Sequence, residues 1–142
     1  DINVMANYIY GLPGDDKDTI KKTFDLSLEL RTAGWNTYAA MALPGSLLYK
    51  NAKDNKIDLP KNYEGYSFHS YETLPLPTEK LPAHEILKMR DEAFTKYHTN
   101  ERFLGLIKEK FGSKAVNNIL NMTRIQLKRK IIEERSLNEA NK

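Results

Sequence analysis

Val4-Met5-Ala6-Asn7-Tyr8-Ile9-Tyr10-Gly11-Leu12-Pro13-Gly14-Asp15-Asp16 opens the chain, and a related stretch, Trp35 through Ala42-Leu43-Pro44-Gly45-Ser46, follows it. Residues 4–10 are apolar or aromatic on both parities, the pattern of a strand covered on both faces. Gly11 to Gly14 break that strand, and Asp15 and Asp16 supply oxygens that cap a helix. From Lys17 to about Thr32, Ile20, Phe24 and Leu28 recur at helical spacing, with Leu26, Leu30 and Ala33 widening the face. Gly34 fits a helix stop. Residues 35–43 read as a second buried strand, closed by Pro44-Gly45, and Ser46 fits the cap of a short helix reaching about Asp54. Strand, helix, strand predicts a parallel βαβ unit with a right-handed crossover. Both strands then end in a Leu-Pro-Gly turn at the same edge of the sheet, where α/β proteins place their ligand sites.

Working outward, residues 56–82 hold four of the six prolines, Pro60, Pro75, Pro77 and Pro82, with Tyr63, Tyr66, Phe68 and Tyr71 among them. A long stretch with little regular structure is often functional, and its aromatics predict that it packs onto something. Beyond it the chain reads as helical. One helix spans about residues 83–98, and a second about 101–111, ended by Gly112. A last helix starts at Ser113, with Val116, Leu120, Leu127 and Ile131 on one face. The polar tail after Ser136 is expected to fray. Three segments follow: residues 1–55, the connecting segment 56–82, and the helical extension 83–142. Only Asp1-Ile2-Asn3 precede the first strand, so the expectation is a piece of a longer protein.

Composition narrows the chemistry. The chain has 142 residues, 40% hydrophobic and 29% charged, with 22 Lys+Arg against 19 Asp+Glu for a net charge of +3. No apolar run approaches the roughly 18 residues of a membrane helix, and a cytoplasmic setting is expected. Cysteine is absent, so the chain offers no disulfide, thiolate nucleophile or iron–sulfur ligand of its own. His69, His84 and His98 match no metal-ligand spacing, so no metal site is expected. No Gly-x-Ser-x-Gly elbow occurs, and Gly11 to Gly14 lack the Gly-Lys-Ser/Thr of a phosphate loop. The run Arg124, Lys128, Arg129, Lys130, with Glu133 and Glu134 beside it, reads as a solvated helix face. Residue chemistry alone shows no complete catalytic apparatus.

The ordered set of features resembles the C-terminal half of a radical S-adenosylmethionine (radical SAM) enzyme. The likeness is to the Fe–S oxidoreductases that carry an N-terminal cobalamin-binding domain. It rests on Ile9-Tyr10-Gly11-Leu12-Pro13-Gly14-Asp15 after one strand and Ala42-Leu43-Pro44-Gly45-Ser46-Leu47-Leu48-Tyr49 after the next. The stretch from Thr78-Glu79-Lys80-Leu81 to Tyr97 and Phe103-Leu104 is similar to that family's helical extension. The resemblance covers about residues 3–111 and implies a partial (β/α) barrel whose fifth and sixth strands are those of this chain. Asn7 stands where the family's strand-five pattern begins with glycine, and Ser46 where a threonine is usual. The family's Cys-x-x-x-Cys-x-x-Cys loop, which holds a [4Fe–4S] cluster, is missing, as are the first four strands.

The resemblance implies that Ile9, with Gly11, Leu12 and Pro13, packs against the adenine of SAM, and that Ala42, Leu43 and Pro44 wall the same pocket. Alternation assigns Met5, Asn7, Ile9 and Gly11 to the barrel lumen, with Met5 and Asn7 toward substrate, and Val4, Ala6, Tyr8 and Tyr10 to the outer helices. The resemblance further implies a fragment inactive alone, whose parent uses SAM, a [4Fe–4S] cluster and, in this subgroup, cobalamin. The expected partner is the N-terminal half, or a second copy pairing through the exposed edge at residues 4–10. The alternative is a complete small α/β domain that binds a protein or nucleic acid through its basic helical end.

Overall fold

A computed structural model describes residues 2–140. Strands β1 (Met5–Tyr10) and β2 (Gly34–Ala39) pair in parallel, in register from Met5 opposite Gly34 to Tyr10 opposite Ala39. Helix α1 (Lys17–Leu30) connects them. Asp16 caps it: its Oδ1 accepts from the Asp18 and Thr19 amides, while the Asp16 amide donates to the Thr19 hydroxyl. These bonds satisfy N–H groups that a helix start leaves without partners. The helix stops at Arg31, which takes the left-handed conformation (φ 43°), and not at Gly34. Gly34 instead begins β2, where a β-carbon would run into the Met5 thioether. The second strand is shorter than its apolar run predicts. The Ala40 amide still donates to the Tyr10 carbonyl (2.8 Å), but the Ala40 carbonyl accepts from Leu76 (2.9 Å), so the connecting segment takes over from β1 there.

Helix α2 (Leu47–Asp54) is capped by Ser46, whose hydroxyl oxygen accepts the Tyr49 amide. The connecting segment contains one 3₁₀ turn, Tyr63–Tyr66. Helix α3 (Ala83–His98) follows, then α4 (Glu101–Thr123), interrupted at Gly112 (φ 81°, ψ 173°), and α5 (Lys130–Ala140). The single last helix expected through Leu127 and Ile131 is therefore two, and the region expected to fray is helical to Ala140. The break lies at residues 124–129, where Arg129 leaves the surface and is only 2% exposed. Its Nε and Nη2 donate to the two carboxylate oxygens of Asp91 (2.9 and 3.0 Å), and its Nη1 to the Ser70 carbonyl and Thr73 hydroxyl (3.0 Å each). A continuous helix reading counts Arg129 as solvated; its fork geometry and five donors suit a buried anchor better.

The helices cover one face of the sheet. Tyr10, Trp35 and Ala39 from the strands meet Ile20 of α1, Ile86, Ala93 and Tyr97 of α3, and Phe103 and Ile107 of α4. Trp35 stacks on Tyr97 with centroids 4.7 Å apart and planes 11° from parallel, and the Tyr97 hydroxyl donates to the Thr32 carbonyl. Burying each large side chain of this set contributes about 1.5–3 kcal/mol. Val4, assigned to this side, is instead half exposed and lies outside β1, which begins at Met5. Among the described residues the architecture is α/β, with a two-stranded parallel sheet and five α-helices. No helix among the described residues is long and apolar enough to cross a membrane.

Candidate functional site

The other face of the sheet is where side chains stand without helical cover. On β1, Met5 is 62% exposed and Ile9 48% exposed, and Asn7 between them is exposed as well. On β2 the same face carries Asn36 and Tyr38, both partly buried. Tyr38 is covered by Phe68 of the connecting segment, ring centroids 5.0 Å apart. Of that segment's aromatics, Phe68 packs over the β2 half of the face, whereas Tyr63 is exposed and Tyr71, also exposed, donates its hydroxyl to Glu133 Oε2 (2.8 Å). Asn36 and Tyr38 were missed by the sequence reading; parity in a second strand paired in parallel to the first was the signal that places them beside Asn7 and Ile9.

The two Leu-Pro-Gly turns leave the sheet at its carboxyl edge and share one geometry. The Asp15 amide donates to the Leu12 carbonyl (2.9 Å) with Gly14 at φ 90°, and the Ser46 amide donates to the Leu43 carbonyl (3.0 Å) with Gly45 at φ 88°. Proline followed by a positive-φ glycine is the sequence of a type II turn. Leu12, Pro13, Leu43 and Pro44 are exposed on these turns. Two other expected site residues point elsewhere. Gly11 takes φ 81°, which breaks the alternation of β1, and a β-carbon on it would lie 2.9 Å from Ile86 Cγ2 of α3, away from the open face. Ala42 is buried against Ala52 of α2 and Leu76.

Electrostatics leave the acidic pair structural. Asp15 Oδ2 accepts from the amides of Gly11 (2.9 Å) and Leu12 (3.1 Å), and its Oδ1 from the Thr19 hydroxyl (2.8 Å). The backbone donors of the first turn are thereby already engaged. Asp16 is pulled down to about 2, chiefly by the hydrogen bond from Lys80 (2.8 Å) and next by the Thr19 amide. Thr78 ties the segment to the same loop by donating to the Asp15 carbonyl (2.9 Å).

His98 and part of the basic end are engaged in the fold. His98 sits among Trp35, Phe94, Tyr97 and Phe103, its Nδ1 2.8 Å from the Phe94 carbonyl, and burial holds its pKa below the usual 6.5. No group of three His, Asp or Glu residues among the described ones is arranged to hold a metal ion. Of the basic run, Arg129 is buried and Lys130 donates to both Glu72 oxygens (3.2 and 3.0 Å), which leaves Arg124 and Lys128 exposed. No protein family, curated protein or solved structure matches the chain.

Proposed function

We propose that this chain is the C-terminal part of a radical SAM Fe–S oxidoreductase, a partial (β/α) barrel in which β1 and β2 contribute to the lumen and SAM pocket. The observation that carries the reading is the one-sided cover of the sheet. Helices bury Tyr10, Trp35 and Ala39, while Met5, Asn7, Ile9, Asn36 and Tyr38 share a face that no helix covers. A parallel sheet exposed on one face is unusual, because parallel strands are normally covered on both. In a barrel the uncovered face is the lumen.

The chain's residues fit parts of the implied groups unequally. With no cysteine, they do not fit a [4Fe–4S] cluster, whose thiolates lie in the family's missing loop, and no step through it is derived. For adenine, the exposed side chains of Ile9, Leu12 and Leu43 supply an apolar wall. The Gly11 and Leu12 amides, engaged by Asp15, hold the turn in shape and do not read the base. SAM, when bound in such enzymes, supplies the 5′-deoxyadenosyl group that abstracts hydrogen from an unactivated carbon. This chain's part is to wall and orient; alone it is inactive, and the β1 edge is where the rest of the barrel, or a second copy, pairs.

The test is the coding sequence immediately upstream of Asp1, together with calorimetric titration of the chain by SAM. The expected result is an in-frame Cys-x-x-x-Cys-x-x-Cys upstream and no measurable heat from the chain alone, since half a pocket buries too little of the nucleoside. A start codon directly ahead of Asp1, or saturable one-site binding, overturns the reading.

A further inference from the structure

Asn7 and Asn36 stand opposite each other in the register of the two strands, and Asn36 Nδ2 donates to Asn7 Oδ1 at 3.1 Å. Asparagine is among the residues that strands disfavour. Here two of them share one rung near the middle of a sheet that has two strands among the described residues. Their mutual bond is exposed, so it returns at most about 1 kcal/mol. Local preference and local structure therefore conflict at this rung, and such conflicts gather at functional positions. The rest of the face, Met5, Ile9 and Tyr38, carries no charge.

The bond also orients what is left over. Each amide has a carbonyl acceptor and an NH₂ with two donors. With Asn7 Oδ1 engaged by Asn36, the Asn7 NH₂ and the Asn36 carbonyl remain free. Reversing both amides leaves the same complement, one free donor group and one free acceptor.

We propose that the Asn7–Asn36 pair is the polar recognition element of this face and takes an uncharged carboxamide or lactam group of the substrate. The proposal rests on the reading of the face as part of an enzyme lumen. A carboxamide presents a carbonyl to the Asn7 donor and an N–H to the Asn36 acceptor, and Met5 and Ile9 cover its apolar neighbours. An ionised carboxylate brings no donor and an ammonium no acceptor, and neither meets an opposite charge on this face. A site built on paired donors and acceptors rejects a group that leaves one of them unsatisfied.

The experiment uses the 142-residue chain labelled with nitrogen-15, following the side-chain NH₂ signals of Asn7 and Asn36. The probes are 2-pyrrolidone, butyrate and butylammonium. A ligand this small on a half-open face is expected to bind in the tens of millimolar, roughly. The lactam moves both signals saturably, and the charged probes do so at least about tenfold more weakly, a difference of about 1.4 kcal/mol. Asn36→Thr, a strand-favouring change, keeps the backbone spectrum and weakens the lactam response at Asn7 by about tenfold or more. No saturable shift by about 100 mM, an equal response to a charged probe, or an unaffected Asn36→Thr chain overturns the proposal. The two readings fail separately. A lactam response with no cysteine loop upstream retires the radical SAM reading and leaves the recognition pair standing; a cysteine loop with no lactam response does the reverse.

Discussion

Arg129→Ala removes four hydrogen bonds from one guanidinium, and what each acceptor keeps determines the cost. Asp91 retains Arg90 Nη1 at 2.9 Å. The Ser70 carbonyl retains the Thr73 hydroxyl at 2.6 Å. Asp91 Oδ2 and the Thr73 hydroxyl oxygen lose their donor, but the Asp91 carboxylate keeps one bond and its side chain is 26% exposed, so the loss should sit at the low end of what breaking a buried pair costs, about 3 kcal/mol. Asp91→Ala is the opposite case. It strands the Arg129 side chain, which is 1% exposed where that of Asp91 is 26% exposed. A charge left buried without its partner costs more than one left near water, so about 4–5 kcal/mol is expected. Changing both residues to leucine or methionine should recover the part of either loss that belongs to Arg129, because an apolar pair of similar volume needs no partner, while the buried Arg90 still lacks its bond to Asp91. Urea melts read by Trp35, the only tryptophan and stacked in the core, give these values directly. If Arg129→Ala costs less than about 1 kcal/mol, the network behaves as an exposed one. If it costs more than Asp91→Ala, the burial asymmetry is not what sets the energy, and the reasoning fails.

Gly11→Ala should cost about 3 kcal/mol, combining left-handed backbone strain with overpacking against Ile86. Gly14→Ala, at φ 90° with nothing within 4 Å of a β-carbon, should cost only the strain, about 1–2 kcal/mol; equal urea midpoints for the two variants would refute the steric part. His98 gives a pH signature. Its folded pKa lies below 6.5 because burial penalises the charged ring, so the unfolded chain takes up its proton first. Stability is full above about pH 6.5 and is lost as the pH falls from there through the lowered folded value. Melting temperatures between about pH 7.5 and 5 should slope in the native chain and lose most of that slope in His98→Phe.

The βαβ unit, α2 and its Ser46 cap, and α3 were legible from periodicity and capping residues, because those signals are local. What escaped was set by distant partners. Arg129 reads as surface from its basic neighbours, and only the position of Asp91 in the fold gives it a buried role. Helix α1 ends at the left-handed Arg31, and Gly34 serves β2 instead, where it leaves room for Met5 of the other strand. The early end of β2 depends on Leu76 arriving to take the Ala40 carbonyl. At the candidate site, parity placed Met5, Asn7 and Ile9 together on the face that stays open. It failed at Gly11, where a positive φ ends the alternation on which parity rests, and it was never extended across the pairing to Asn36.

The connecting segment decides how the open face is to be understood. Leu76 bonds to the end of β2, Phe68 covers Tyr38, and Arg129 and Lys130 fasten the segment from behind through Ser70, Thr73 and Glu72. The first two of these contacts lie on β2, while Thr78 and Lys80 tie the segment's end to Asp15 and Asp16 in the loop after β1. The β1 side has no strand beside it among the described residues, and its outward side chains are the most exposed apolar groups of either strand. A small domain that had merely failed to cover a face would be expected to lack cover on both strands. Cover over one strand that stops at the next is what the proposed barrel fragment requires, since unpaired strand edges are otherwise shielded by charge, bulge or helix. This asymmetry, more than either Leu-Pro-Gly turn, supports assigning the Asn7–Asn36 rung to the interior of a larger enzyme.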